Sequence, residues 1–195
     1  LPDGLPPGGL SETISTYRTI IKTCLENGVV LGADTRATSG EVVADKMCAK
    51  IHYISPNIYC CGAGTAADTE KTTDLLSSNL TIFSMNSGRN PRVVMAVNIL
   101  QDMLFRYRGQ IGASLILVGW DNKGPGLYYV DDNATRLSGR MFSTGCGSSY
   151  AYGVIDSGSR EDMTVEEAYE LGRRGITHAT HRDAYSGGVV KLMTI

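Results

Sequence analysis

The chain has 195 residues with 18 basic and 20 acidic side chains, so its formal net charge is only −2. A chain of this length suffices for one domain that buries about 70% of its unfolded surface. The composition, 42% hydrophobic and 19% charged, is typical of a globular protein and excludes a disordered, collagen-like or coiled-coil chain. Because no run of like charges marks a phosphate-tracking face, we expect no nucleic acid partner.

The sequence indicates neither a membrane nor a metal. Its apolar runs are too short to cross a bilayer, and the N-terminus lacks the basic-then-apolar pattern of a signal peptide, so we expect a soluble, intracellular protein without a membrane partner. The five cysteines show no CxxC spacing and the three histidines complete no zinc pattern, which predicts reduced thiols, no metal and no cofactor. The cysteines are Cys24, Cys48, Cys60, Cys61 and Cys146.

The first part of the chain is typical of a leader followed by strands. Residues 1–10 are dense in Pro and Gly, which predicts an extended leader outside the core. Two pairs of β-rich runs follow, and each pair predicts a hairpin. The pairs are 19–25 with 29–35, joined around Asn27-Gly28, and 50–55 with 57–61, joined around Pro56.

Helices and further strands are predicted after residue 64. A polar–apolar pattern indicates a helix over 65–83, and apolar residues at helical spacing after Pro91 indicate another over 91–108. Thr164 and Glu167 form a capping box that begins a helix over 164–179. Strands are predicted at 110–120, 127–130, 136–137, 140–143 and 189–195, with Gly124-Pro125-Gly126 as a turn. This order predicts an α+β domain with two stacked sheets between helical layers, rather than a parallel βαβ array.

Several strings of this sequence are similar to β-type subunits of the proteasome core particle. They are 32–38 (GADTRAT), 43–46 (VADK), 50–51 (KI), 59–68 (YCCGAGTAAD), 124–131 (GPGLYYVD), 150–154 (YAYGV) and 182–188 (RDAYSGG). Up to about residue 112 the chain resembles the trypsin-like subunit, and from about residue 119 it resembles the chymotrypsin-like subunits, including their immune and thymic forms. A chimera, a designed chain or an unusual paralogue would each produce this mosaic.

The resemblance implies a four-layer αββα sandwich of the N-terminal-nucleophile hydrolase type and a threonine-type endopeptidase. In that chemistry a threonine freed by propeptide removal attacks the scissile carbonyl, and its own α-amine acts as base. Counted back from Asp34, the nucleophile position falls on Arg18, and Tyr17 stands where the family has the glycine of its cleavage site. Residues 1–17 would then be a propeptide-like leader, and the domain 18–195 would lack the family's last strand and helix. An arginine attacks no carbonyl, so the resemblance implies an inactive subunit.

The resemblance also assigns the residues around the nucleophile. Lys50 matches the active-site lysine that stabilises the reactive nucleophile, and Asp34 matches the carboxylate that orients it. Gly64 matches the backbone N–H that receives the oxyanion. Asp183 and Ser186 match the pair that hydrogen-bonds around the threonine, whereas Cys146 stands where a serine is expected. A specificity pocket is implied at Ala37, Thr38, Cys48, His52, Gly62, Ala66 and Glu70.

Other interpretations follow from the same residues. Thr19 would serve as nucleophile if the chain were cut after Arg18, although a one-residue slip turns a strand side chain to the opposite face. Cys146 is an alternative nucleophile, but a small residue that fills the space of a serine is the simpler interpretation. Without the nucleophile, the chain would be a purely structural ring subunit, and a stand-alone amidase is the weakest alternative. The implied partners are other β-type and α-type subunits and unfolded polypeptides, in the cytoplasm and nucleus.

Overall fold

A computed structural model of the chain describes residues 15–16, 20–25 and 28–195, with side-chain surroundings from residue 28 onward. In these residues the strands are β1 (Ser15–Thr16), β2 (Ile20–Leu25), β3 (Gly28–Ala33), β4 (Ala37–Ser39), β5 (Val42–Asp45), β6 (Ile51–Ser55), β7 (Ile58–Thr65), β8 (Ala113–Asp121), β9 (Gly124–Val130), β10 (Arg136–Ser138) and β11 (Lys191–Thr194). The helices are α1 (Ala66–Ser87), α2 (Val93–Tyr107), α3 (Ser148–Gly158) and α4 (Val165–Arg182).

The strands form two antiparallel sheets that lie face to face. The larger sheet has the order β10-β9-β8-β7-β1-β4-β5, with β6 also paired to β7, and the smaller sheet has the order β11-β3-β2. β3 of the smaller sheet contacts β8 of the larger one. The apolar cluster between them includes Val29, Leu31, Cys61, Ile116 and Val118, all fully buried. Alternate side chains of each strand thus meet across the two sheets, as sandwich packing requires.

Helices cover the outer faces of both sheets. α1 and α2 pack on the larger sheet through a cluster that includes Leu76, Leu80, Leu100 and Leu104. α3 and α4 pack on the smaller sheet. At Gly32 in β3, an added Cβ would lie 2.6 Å from Leu192 and 2.8 Å from Ile176, so the missing side chain lets α4 approach the sheet closely. The predicted αββα sandwich is confirmed.

Local sequence signals located several elements well. β2 and β3 pair as an antiparallel hairpin in which Leu25 lies opposite Gly28, and β6 pairs with β7 as predicted. The capping box of α4 is present, because Thr164 Oγ1 accepts from the Glu167 N–H and the Glu167 carboxylate accepts from the Thr164 N–H. In the part of the chain described, no helix is long and apolar enough to span a membrane.

Two predictions about strands were wrong. Residues 140–143 form no strand. Instead, the Phe142 ring stacks on Tyr129 at 5.9 Å between centroids, so the apolar character of this segment reflects packing rather than pairing. The Gly-Pro-Gly segment, predicted as a turn, forms the beginning of β9. At Gly126 an added Cβ would lie 2.7 Å from Val93, so this glycine lets α2 lie close to the strand.

Candidate active site

A buried ion pair joins the end of β3 in the smaller sheet to the start of β6 in the larger sheet. Asp34 follows β3 directly, and Lys50 directly precedes β6. Lys50 Nζ lies 2.6 Å from Asp34 Oδ1, and both side chains are 0% exposed. The other carboxylate oxygen of Asp34 accepts from the Gly187 N–H at 2.9 Å. Removing two charges from water is expensive, and such a pair is tolerated only with close geometry and additional hydrogen bonds of this kind.

The segment after α4 is fastened to the loop between β3 and β4. The carbonyl of Gly187 accepts from the N–H groups of Thr35 and Arg36, both at 3.1 Å. In return, Thr35 Oγ1 accepts from the Val189 N–H at 3.0 Å. An added Cβ at Gly187 would overlap the Arg36 guanidinium, and Gly188 has a φ of +80°, a left-handed conformation that favours glycine. Two chain segments far apart in sequence therefore hold Asp34 from both sides.

Asp183 and Ser186 follow α4, and Cys146 precedes α3, near enough to Asp183 for its thiol to be affected by that charge. Ser186 Oγ donates to Asp183 Oδ2 at 2.6 Å, and Ser186 is fully buried. Burial, and then the charge of Asp183, raise the pKa of the Cys146 thiol above its ordinary value. Because the thiolate is the nucleophilic form of cysteine, this environment disfavours Cys146 as an attacking group.

Gly64 lies near the end of β7, at a position where a side chain would not fit. Its φ is +117°, and an added Cβ would overlap the carbonyl oxygen of Gly112. Next to it is an open cleft of about 450 Å³, which is also lined by Ala113, Asp132 and the segment from Thr144 to Cys146. The structure therefore brings Gly64 and Cys146 to one cleft.

The short strand β1 lies between β4 and β7. Ser15 is opposite Thr38 of β4 and Thr65 of β7, and Thr16 is opposite Gly64. β2 begins at Ile20, which pairs with Ala33 next to Asp34. Tyr17, Arg18 and Thr19, on which the prediction about the nucleophile depends, lie outside the described residues.

The residues predicted for the specificity pocket are spread over neighbouring elements. The structure places Ala37 and Thr38 in β4, Cys48 before β6, His52 in β6, Gly62 in β7, and Ala66 and Glu70 in the first turns of α1. Ala37, Thr38 and Gly62 are buried, whereas Glu70 is exposed. In the described residues, no group of three or more His, Cys, Asp or Glu side chains is arranged to hold a metal ion.

Comparison of the sequence with known proteins identifies a family. The profile described as "Proteasome subunit" matches residues 17–195. The chain belongs to the proteasome subunit family. It is 46% identical over 168 residues to the proteasome subunit beta type-8 of Canis lupus familiaris, which is 86% of this chain and 61% of that protein.

Other β-type proteasome subunits show similar identity. The chain is 45% identical over 182 residues to the beta type-7 subunit of Dictyostelium discoideum, which covers 93% of this chain and 68% of that protein. The beta type-2 subunit of Saccharomyces cerevisiae is 46% identical over 181 residues, 93% of this chain and 69% of its own length. The chain thus spans about 61% of the first of these relatives, and the predicted likeness to β-type proteasome subunits is confirmed.

Sequence reasoning missed three features of this proteasome-family site. They are the strand β1 between β4 and β7, the carbonyl of Gly187 that accepts from the β3–β4 loop, and Asp132 beside the cleft. The Gly187-Gly188 pair was a signal for a special backbone conformation. Its partner Asp34, however, lies 153 residues away from Gly187 in sequence.

Proposed function

We propose that this chain is a β-type subunit of the proteasome core particle, from a lineage of threonine-type endopeptidases, and that it does not hydrolyse peptide bonds as written. The observation that supports this best is the buried Asp34–Lys50 pair, held by the Gly187 N–H, in a chain whose sequence has Arg18 at the nucleophile position. The supporting charges are in place, but the attacking group is replaced.

The chemistry explains why one substitution suffices for inactivity. In a threonine hydrolase the side-chain hydroxyl attacks the carbonyl carbon, and the freed α-amine of the same residue takes up the hydroxyl proton. Lys50 would stabilise the deprotonated hydroxyl, and a backbone N–H at Gly64 would stabilise the oxyanion. A guanidinium has no hydroxyl to attack with and stays protonated at any physiological pH. With Tyr17 in place of the glycine before the cut, the α-amine would also stay in a peptide bond.

An extended, unfolded polypeptide is the substrate class that we propose for an active form. The support is β1, because the space between β4 and β7 accepts one extended segment through antiparallel pairing at Ser15 and Thr16. Backbone pairing of this kind gives affinity without reading every side chain, while pockets beside the strand select among side chains. The residues proposed for the main pocket remain Ala37, Thr38, Cys48, His52, Gly62, Ala66 and Glu70.

We further propose that the partners are other β-type and α-type proteasome subunits, in the cytoplasm and nucleus, without nucleic acid or membrane. Large apolar side chains on the surface support assembly, for example Met85 at 79%, Val42 at 68% and Phe105 at 60% exposure. Residues 1–17 are proposed as the zymogen-like leader, and 18–195 as the proteasome β-type domain.

A purely structural ring subunit is the second candidate, and the Arg18 substitution favours it. One experiment separates the two. The unmodified chain and the double variant Tyr17→Gly/Arg18→Thr are incubated with fluorogenic peptides, and the mature N-terminus of each is determined by mass spectrometry. We expect turnover only in the double variant, with loss of turnover when Lys50→Ala is added. Turnover by the unmodified chain that a threonine-directed inhibitor blocks would contradict the proposal and favour Thr19.

A further inference from the structure

The cleft beside Gly64 has a defined place relative to strand β1. At Gly64, β7 pairs on one edge with Thr16 of β1 and on the other edge with Ala113 of β8. The cleft of about 450 Å³ lies over the β8 side and extends to Asp132 and Cys146. β1 therefore occupies one side of Gly64, and the cleft opens on the other.

The direction of β1 indicates which part of a substrate each side would receive. β1 runs from Ser15, opposite Thr65, to Thr16, opposite Gly64, so its carboxyl end points towards Gly64. A peptide bound in the same direction would bring its scissile carbonyl to Gly64, where the oxyanion is expected. The residue after the scissile bond follows directly beyond Gly64, and the cleft borders Gly64 on the side that β1 does not occupy.

The cleft is acidic. Asp132, half-buried in the loop between β9 and β10, is the only carboxylate among the described residues that line it, and no Lys or Arg from those residues lines it. The carboxylate of Asp132 accepts a 3.3 Å hydrogen bond from the amide of Asn133, and within the described part of the chain it forms no salt bridge. Two more carboxylates lie near residues that line the cleft: Asp68 accepts from the Gly112 N–H, and the charge of Asp183 affects the Cys146 thiol.

We propose that this cleft receives the residue on the carboxyl side of the scissile bond, and that Asp132 makes it select a basic side chain. The assignment of the leaving-group side rests on the proposed endopeptidase function. The preference for a cation rests on the carboxylates at the cleft, Asp132 foremost, and is measurable in the unmodified chain. Lysine and arginine place a cation at the end of a flexible stem, which suits a carboxylate at the wall of an open cleft.

Cys146 provides a chemical reporter inside the cleft. The chain is equilibrated at mildly alkaline pH with three small symmetrical disulfides that carry aminoethyl, hydroxyethyl or carboxyethyl groups. The Cys146 thiolate attacks one sulfur of the reagent, a mixed disulfide forms on Cys146, and the other half of the reagent leaves as a thiol. Intact mass and peptide mapping give the occupancy at Cys146. Cys146→Ser reports any background from the other cysteines.

We expect aminoethyl capture to exceed hydroxyethyl capture by about two- to five-fold, the range for one partly exposed ion pair. Asp132→Asn should bring this ratio close to one without reducing hydroxyethyl capture. Asp156→Asn removes the same charge from an exposed position of α3 and should leave the ratio unchanged. An unchanged ratio in Asp132→Asn, or a ratio that only Asp183→Asn removes, would overturn the proposal.

A second experiment tests where the cleft lies relative to the scissile bond. The variant Tyr17→Gly/Arg18→Thr is given internally quenched peptides that differ only in Lys, Gln or Glu after the cut. We expect kcat/KM to favour Lys over Gln by a similar two- to five-fold, and Asp132→Asn to abolish this preference. Absence of the preference in an active enzyme overturns the leaving-group assignment. If the variant shows no turnover, the endopeptidase function and the leaving-group assignment both fail, while selective capture at Cys146 still supports a cation-selective cleft.

Discussion

The buried pair of Asp34 and Lys50 predicts a large and specific stability change. Lys50→Met keeps an unbranched side chain of similar length but removes the ammonium that lies 2.6 Å from Asp34. Breaking a buried pair by removing one partner costs about 3–5 kcal/mol, because the other charge stays buried without its counter-charge. For a chain of 150–250 residues, each kcal/mol lowers Tm by about 2–4 °C, so we expect a decrease of roughly 6–20 °C.

Urea unfolding followed by circular dichroism measures this change in the isolated chain. The matched control is Arg106→Met, because Arg106 pairs with Asp102 at 2.7 Å on the surface, with side chains 72% and 59% exposed. An exposed pair contributes about 0–1 kcal/mol, so the control should unfold almost like the unmodified chain.

A double variant, Asp34→Asn with Lys50→Met, tests whether the charge itself is responsible. Removing both charges should restore part of the stability lost in Lys50→Met, because the uncompensated carboxylate is gone. A loss below about 1 kcal/mol in Lys50→Met, with an unchanged denaturant slope, would refute the reasoning, since Lys50 would then be solvated in solution.

Three more predictions concern the surroundings of the site and helix α4. Gly64→Ala should destabilise the chain by about 1–3 kcal/mol in urea unfolding, because φ is +117° and the methyl group would overlap a backbone oxygen. In alkylation by iodoacetamide as a function of pH, Cys146 should react with a midpoint above that of a free thiol, since its pKa is raised, and Asp183→Asn should lower the midpoint. Thr164→Ala should cost about 1 kcal/mol through loss of the N-cap. The pKa of Glu167 is lowered mainly by the hydrogen bond from the Thr164 N–H. The stability that the Glu167 carboxylate contributes is therefore present above its unfolded pKa and is lost as pH falls through its folded pKa. Glu167→Gln should weaken this fall in the free energy of unfolding at acid pH.

The elements that local chemistry specifies could be predicted from the sequence. Helix α4 begins at its capping box because Thr164 and Glu167 are three residues apart and satisfy each other's backbone groups. The β2–β3 hairpin follows from β-rich runs around an Asn-Gly turn. In the same way, apolar spacing after Pro91 located α2 to within two residues at its start.

Elements that depend on distant partners could not be predicted in this way. The β4–β5 hairpin, turned at Gly40 with φ of +56°, is short and half polar, so its pattern resembles a loop. β1 has two residues, and only its neighbours β4 and β7 make it a strand. The strand predicted at 140–143 is absent for the converse reason. The Phe142 ring stacks on another ring, so its apolar character does not indicate strand pairing.

The candidate site also divides into what the sequence indicates and what only distant contacts determine. Resemblance indicated which residues belong together, whereas the physical reason that they stay together came only from the fold. Asp34 lies at its position because the Gly187 N–H and Lys50 Nζ both point to its carboxylate. Neither contact is local, and no propensity or periodicity encodes it.

The presence of Asp34 and Lys50 in a chain with Arg18 at the proposed nucleophile position has a structural explanation. Neither charge is removable alone without leaving the other buried and uncompensated, and the Gly187 contact ties the same carboxylate to the segment after α4. Loss of either charge alone therefore destabilises the fold, whichever residue stands at position 18. Under the proposed function, an intact Asp–Lys pair is therefore evidence of lineage, whereas activity would require a threonine at the nucleophile position and a freed α-amine. The proposal assigns those two requirements to Arg18 and Tyr17, which is why the variant that changes both residues is the decisive test.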